Sequence, residues 1–515
     1  MVSIDLLLYN GKIISLENNN AIYHWIAVKN NLIYDLGYGE DFKKYICNSL
    51  DVIDLNGKTI LPGFYDSHVH LVQTGLNNLS LDLSKCTTLK EIFKLIENKT
   101  KETPKGQFIR ATGLDEYKLS EKRFPNRYEL DNCAPDHPVW INRVEYHTSI
   151  VNSLALHKLR TPLNAEGVET KGNIPTGLLT GSANALVRKE ILAKISSEMR
   201  LEGVNKTLID AIAKGVTSIN AMEGGFTFHD KDAEFIYKNK DSFPIDIILF
   251  YQTVNINKVL DKKLKRIGGS IFLDGSFGSR TAALSEPYLG YTDVYGKLYF
   301  TQDEINSFIL KAYENNLQVS THAVGERAIE QIITAHEYAE SIYPNRNLRN
   351  RIEHFELPSL NHIKRAKKLG LIASMQPTYE YLWGGYDKMY SKTIGKKKCE
   401  ETNPFREIID NGLIICGGSD SDVTPINPIL GIHSAVNHPI TNHRVSVLEA
   451  IKMFTINSAY AVFEENIKGS IKINKYADFV VLNENPLEIP KETIKDIKIL
   501  ATIKEGHILY ENDLR

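Results

Sequence analysis

Net charge is almost absent from this 515-residue chain, at −2. That excludes the strongly basic surface that selects nucleic acid or an anionic membrane. No apolar run approaches the length of a membrane span. The opening stretch, Met1-Val2-Ser3-Ile4-Asp5, lacks a basic region followed by an apolar one, so no secretory signal is expected. Cysteine is scarce and scattered: Cys47, Cys86, Cys133, Cys399 and Cys416, with no CxxC pair. An odd, dispersed set argues against a disulfide framework and a thiolate zinc site, and fits a reducing cytoplasm. Internal repeats and low-complexity segments are missing too. The Lys396-Lys397-Lys398 run reads as a solvated loop.

What is present is ordinary globular material, 42% hydrophobic and 24% charged, in a chain too long for one small core. Residues 5–60 read as short strands joined by turns. Leu6 to Tyr9 meets the hairpin signal Asn10-Gly11, Trp25-Ile26-Ala27-Val28 follows, and Asn56-Gly57 closes the series. The C-terminal stretch repeats the pattern, with Ala477 to Leu482, Ile497 to Ile503 and His507-Ile508-Leu509. Neither end buries a core alone, so one composite β-sandwich domain built from residues 1–61 and 466–515 is expected.

Residues 62–465 alternate strands with helices, which implies a parallel sheet. Candidate strands are 215–222, 245–253, 269–274, 317–322, 351–354, 371–376 and 414–420. Helix-like stretches cover 201–214, 302–315, 326–341, 360–369 and 403–411. With the strand around Pro62-Gly63-Phe64 the total is eight, and the expected fold class is α/β, a (β/α)8 TIM barrel. Residues 79–199 then form a long insertion after strand one, expected to lie over the barrel mouth. Connections of that length are usually structured and functional.

The chemistry starts at Asp66-Ser67-His68-Val69-His70. On a strand, residues two apart point to one face, so His68 and His70 can aim both imidazoles at one point. Imidazole is the commonest ligand for zinc and similar ions. A lone HxH is weak evidence. Here His322 ends strand five, His354 ends strand six and Asp420 ends strand eight. All are at the strand ends where barrel active sites form.

These residues, in this order, resemble the amidohydrolase superfamily, and within it amidohydrolase family 3, which includes N-substituted formamide deformylases. Further matching stretches are Asn10 to Ile14, Asp54 to Lys58, Asp274-Gly275-Ser276-Phe277-Gly278-Ser279-Arg280-Thr281, Lys475 to Leu482, and His147 with Asn152 to Leu156. The resemblance implies His68, His70 and His322 as metal ligands. It implies His354 as a ligand of a second ion or a proton-transfer group. Asp420 would be both ligand and general base toward the attacking water. Zinc is the expected ion, although manganese, iron, nickel or cobalt suit the same donors. One departure stands out. Many members carry a carboxylated lysine on strand four that bridges two ions, and Ser270 holds that position here. One ion held by His68, His70, His322 and Asp420 is therefore the preferred expectation, with Asp274 or Glu223 as alternative bridges to a second.

Asp274, Arg280, His147 and Trp383 are the candidate substrate-binding residues. Tyr379, Tyr381 and Trp383 would wall the pocket, and Asp422 would lie behind Asp420 or in solvent. The expected function is hydrolysis of a non-peptide C–N bond, of amide or formamide type. Alternatives are a cyclic amide or imide hydrolase, a deaminase, or a metal-containing barrel that binds a ligand without turnover. The expected partner is a small-molecule substrate, with no nucleic acid or membrane, and a homo-oligomer is left open.

Overall fold

The structure, a computed structural model, describes residues 3–17, 21–143, 148–159 and 165–514. Eight parallel strands form one sheet, whose order places every strand beside its sequence neighbours. They are β1 (Phe64–Val69), β2 (Val216–Glu223), β3 (Asp246–Tyr251), β4 (Arg266–Phe272), β5 (Gln318–Ala323), β6 (Arg351–His354), β7 (Ile372–Met375) and β8 (Ile414–Gly417). Just past β8, the Asp420 N–H donates to the His68 carbonyl at 2.8 Å, and the His70 N–H donates to the Ser421 carbonyl at 2.7 Å. These bonds join the last strand to the first and close the barrel. Helices Gln302–Glu314, Glu326–Ile342 and Leu360–Lys368 occupy the expected connections. Polar starts explain the first and third boundaries: Thr301 with Glu304, and Ser359 with His362, form reciprocal caps on the first-turn N–H groups.

Strand four differs from expectation. It begins at Arg266 rather than Gly269 and runs through Gly268, Gly269 and Ser270, all at positive φ. Its pairing with β5 slips between Ile267 and Ile271, which marks a bulge. Gly268 is required there, because a Cβ would lie 2.2 Å from the Ser320 carbonyl oxygen.

The terminal segments supply two further sheets. One has four strands, in the order 32–37, 25–29, 4–9, 49–54. The other has six, in the order 507–511, 499–504, 479–482, 59–62, 12–14, 22–23. The two chain ends meet where Phe479–Leu482 runs antiparallel to Thr59–Pro62. Leu6, Leu8, Ile26, Val28, Ile60, Phe479, Val481 and Ile503 form their common core. Strand Thr59–Pro62 leads straight through Gly63 into β1. The Gly63 N–H donates to the Asp478 carbonyl, and a Cβ here would lie 2.4 Å from Thr217 Oγ1. The terminal sheets and the barrel belong to one compact unit, residues 1–71, 208–227 and 236–515.

The second unit, Val72–Thr207 with Phe228–Phe235, carries its own six-stranded sheet in the order 168–171, 174–180, 148–151, 139–143, 109–114, 81–82. Helices Leu89–Glu102 and Arg127–Cys133 contribute to a core of Ile92, Ile96, Leu130, Ile109 and Ile141. The Asn152 side chain caps helix Ser153–Lys158 and also accepts from the Val139 N–H at 3.0 Å. The Asn152–Leu156 stretch is therefore a structural clasp within this unit.

Because Phe479–Leu482 is an inner strand of the six-stranded sheet, a chain truncated after Lys468 is expected to be insoluble, with a bare apolar edge at Thr59–Pro62. The milder Phe479→Ala is expected to lower unfolding stability by about 3–5 kcal/mol, the usual cost of emptying a buried phenylalanine site. A truncated chain that stays soluble and unfolds cooperatively in urea would contradict this pairing.

Candidate metal centre

The strand ends bring five side chains together. His68 and His70 rise from the end of β1, His322 and His354 from β5 and β6, and Asp420 from the turn after β8. All are buried. Asp420 Oδ1 lies 3.2 Å from His68 Nε2 and 3.2 Å from His70 Nε2. Ligand atoms of His68, His354 and Asp420 all lie within 4.8 Å of one another, the single such trio among the described residues. The His322 and His354 rings are 4.5 Å apart between centroids, and those of His68 and His354 are 5.1 Å apart.

The arrangement suits a divalent cation. Although close in distance, His68 Nε2 and Asp420 Oδ1 have no aligned hydrogen-bond partner among the described residues, and neither does His322 Nδ1. Buried polar atoms left in this way are costly unless something else meets them. Each ring nitrogen on the far side, in contrast, is held. His68 Nδ1 meets Glu353 Oε2 at 2.7 Å, His70 Nδ1 meets the Met222 carbonyl at 3.0 Å, and His354 Nδ1 meets Gln376 Oε1 at 2.7 Å. Such outer contacts orient imidazole ligands toward an ion. His322 differs, since its Nε2 meets the Gly275 carbonyl at 3.1 Å and its Nδ1 is left.

Charge follows the geometry. Burial works against a charged His68, but the Asp420 and Glu353 carboxylates outweigh it and push its pKa up to about 9. Burial likewise opposes an ionised Asp420, yet the neighbouring histidines hold it well below the usual carboxylate range. Burial pulls His354 down to about 4 and His322 well below its ordinary value, so both present neutral lone pairs at neutral pH. An anionic carboxylate among imidazoles is a donor set of the zinc type.

Two of these residues adopt left-handed backbone, His354 at φ 73° and Asp420 at φ 53°. Such positions cost roughly 1–3 kcal/mol each and persist only where the surroundings fix them. Here the fixing bonds are Asp420 N–H to His68 O at 2.8 Å and, just after His354, Phe355 N–H to Ala323 O at 3.1 Å.

The remaining candidates separate. Asp274 is buried, and its carboxylate accepts the N–H groups of Ala283, Val324 and Gly325 at 2.8 to 3.0 Å. It organises the loops after β4 and β5, and its Oδ1 is 3.5 Å from His322 Nε2. Arg280 is exposed and stacks over Tyr291, its guanidinium 5.2 Å from the ring. Ser270 is buried on the β4 bulge, and its Oγ has no hydrogen-bond partner among the described residues. Glu223 is buried at the end of β2. His147 lies outside the described residues. Trp383 packs against Tyr379, ring centroids 4.8 Å apart.

Sequence reasoning underrated Tyr379 and passed over Gln376 and Glu353. Tyr379 sits on the short helix Pro377–Trp383, its ring parallel to His354 at 6.1 Å, and its hydroxyl donates to Asp420 Oδ2. Asp420 is thus divided, with Oδ1 toward the histidines and Oδ2 toward the phenol. Gln376, directly ahead of the same helix, carries His354. The Gln376-Pro377 step was the available signal, since proline at the first helical position marks a helix start.

Comparison with known proteins agrees with this layout. A family model described as the amidohydrolase family matches residues 51–510. The putative amidohydrolase YtcJ of Bacillus subtilis is 29% identical over 524 residues, 96% of each chain. The N-substituted formamide deformylase of Arthrobacter pascens is 24% identical over 543 residues, 98% of each chain. In fold, the chain is similar to the crystal structure of an uncharacterized metal-dependent hydrolase from Pyrococcus furiosus. The TM-score is 0.78 at 24% identity, covering 94% of this chain and 100% of that one. With the barrel, the strand-end histidines and a family match over most of its length, this chain belongs to the amidohydrolase family.

Proposed function

We propose that the protein is a metal-dependent hydrolase of a small-molecule amide or formamide, cleaving a non-peptide C–N bond by water attack with Asp420 as general base. The observation that carries this reading is the convergence of His68 Nε2 and His70 Nε2 on Asp420 Oδ1, both at 3.2 Å, beside His354. A divalent ion bound there would lower the pKa of water toward neutrality and polarise the scissile carbonyl. The chain's own residues would do the rest. Asp420 accepts the proton of the attacking water and returns it to the leaving amine. Tyr379 steadies the carboxylate by donating to Oδ2, so Oδ1 stays aimed at the histidines. Gln376, Met222 and Glu353 hold three imidazoles in the rotations that face the centre.

The substrate class rests on the formamide deformylase relative, which is similar over 98% of both chains. Zinc is the proposed ion, since histidine and carboxylate donors at this spacing suit it. One ion is proposed because Ser270 is too short to bridge and Asp274 spends its carboxylate on three backbone N–H groups.

With N-substituted formamides as test substrates, Asp420→Asn is expected to cut kcat by at least ~10²-fold, the lower range for removing a general base. Turnover that persists within a few-fold would remove Asp420 from that role. Tyr379→Phe deletes one hydrogen bond to a charged group and is expected to cost about 10-fold in kcat, roughly 1.5 kcal/mol. Unchanged kcat would make the phenol a packing residue. Metal analysis of the purified protein should find about one ion per chain, as in single-ion catalytic centres. The trio of His68, His354 and Asp420, within 4.8 Å of one another, draws His354 into the single-ion site, unlike the His68, His70, His322 and Asp420 set expected from sequence. His354→Ala should therefore lose most of the bound ion. Two ions falling to one in that variant would instead reveal a binuclear centre.

A further inference from the structure

Glu353 is one residue before His354 in sequence, yet its side chain serves His68 across the barrel interior. Every contact of its carboxylate is made inside the barrel, with all partner side chains buried. Oε2 accepts from His68 Nδ1 at 2.7 Å and from Arg351 Nη2 at 2.9 Å. Oε1 accepts from Arg351 Nε at 2.8 Å and from the Ser320 hydroxyl at 2.7 Å. Arg351 is itself pinned, with Nη2 also donating to the Ser67 carbonyl at 2.6 Å and to Ser374 Oγ at 2.8 Å, and with its guanidinium 4.6 Å from the Phe250 ring. A two-pronged arginine keeps the carboxylate ionised, and an ionised carboxylate only accepts. His68 must therefore carry a hydrogen on Nδ1, which leaves Nε2 as the atom that faces Asp420 Oδ1 and would meet a bound ion. The other two held imidazoles lean on neutral oxygens, the Met222 carbonyl and the Gln376 amide. Hydrogen bonds to an ionised acceptor are about twice as strong as neutral ones. Of these three, His68 is the one held by a carboxylate.

We propose that Glu353 is a positioning residue for the metal centre, and that the Arg351–Glu353 pair makes His68 the strongest imidazole donor of the set by fixing its tautomer and raising its basicity. This rests on the reading that His68 holds the ion. The burial pattern favours a functional role over a purely structural one. Burying an ion pair is a weak route to stability compared with apolar packing. Here one of its charges is spent on a histidine that faces the site.

The test uses cobalt(II) as the probe, read by its visible absorption and by competition with a chelator, on metal-stripped full-length protein. Glu353→Gln keeps the shape and removes the charge. It is expected to weaken cobalt binding about 10- to 100-fold, the usual effect of losing an outer contact to a ligand. Its absorption band should shift, and thermal unfolding of the metal-free protein should remain cooperative. Glu353→Asp is expected to recover part of the affinity. Wild-type affinity and spectrum in folded Glu353→Gln would overturn the proposal. His68→Ala is the control for the underlying reading. If it leaves cobalt binding intact, the site assignment fails. If it abolishes binding while Glu353→Gln does not, only the role of Glu353 fails. Should Glu353→Gln not fold, nitrogen-15 spectra of histidine-labelled, zinc-loaded wild type decide, with His68→Gln for assignment. A proton on His68 Nδ1 supports the proposal, and a proton on Nε2 overturns it.

Discussion

The barrel is closed and its candidate centre assembled by the same pair of backbone bonds. The Asp420 N–H reaches the His68 carbonyl, and the His70 N–H reaches the Ser421 carbonyl. Each bond joins the end of β1 to the turn after β8, and each is made by a residue whose side chain belongs to the cluster or lies beside one. Opening that seam would separate Asp420 from both β1 histidines at once. Asp420 holds its left-handed backbone at this same seam, where the bond to the His68 carbonyl fixes it. Folding and site geometry are therefore one problem at this seam.

Below the histidines the barrel interior is not simply apolar. Tyr65, Met222, Ile248 and Phe250 fill part of it, while Arg351, Glu353, Ser320 and Ser374 form an ionic network beside them, bonded through Arg351 Nε and Nη2. The network touches β1, β5, β6 and β7, so it constrains the relative positions of strands that carry His68, His322 and His354. Burial works against an ionised Glu353, but Arg351 and His68 together hold it well below the usual carboxylate range. A charge inside a barrel is tolerable when every lone pair has a donor, and this glutamate meets that condition.

Periodicity and strand-end placement were enough to read eight barrel strands, the pairing of the two termini and the five clustered side chains. That works because a parallel barrel puts successive strand ends on one face, so order along the chain becomes proximity in space. What stayed hidden depended on direction rather than position. His68 and Glu353 are 285 residues apart, and nothing local to either says which ring nitrogen faces which carboxylate. Tyr379 was read as part of a pocket wall, but the short helix it rides turns its hydroxyl onto Asp420. Asp274 and Asn152 sit in stretches that look functional, yet their polar atoms are consumed by backbone groups, N–H groups for the Asp274 carboxylate and Asn152 Oδ1, and the His137 carbonyl for Asn152 Nδ2. An acidic or amide side chain beside a turn competes for the backbone before it can serve a ligand.

Strand four carries the last link. Its bulge at Gly268-Gly269-Ser270 brings Gly268 so close to Ser320 that no Cβ fits, and Ser320 is the residue whose hydroxyl holds Glu353. The Ser270 N–H donates to that same Ser320 oxygen at 3.2 Å. A side chain long enough to bridge ions is missing at 270, and the backbone there is instead recruited to the network that supports His68. The departure at Ser270 and the ionic support of His68 are thus parts of one local arrangement. Strand four meets the candidate centre in two ways, directly where the Phe272 ring packs on His322 at 4.7 Å between centroids, and at one remove through Ser320 and Glu353.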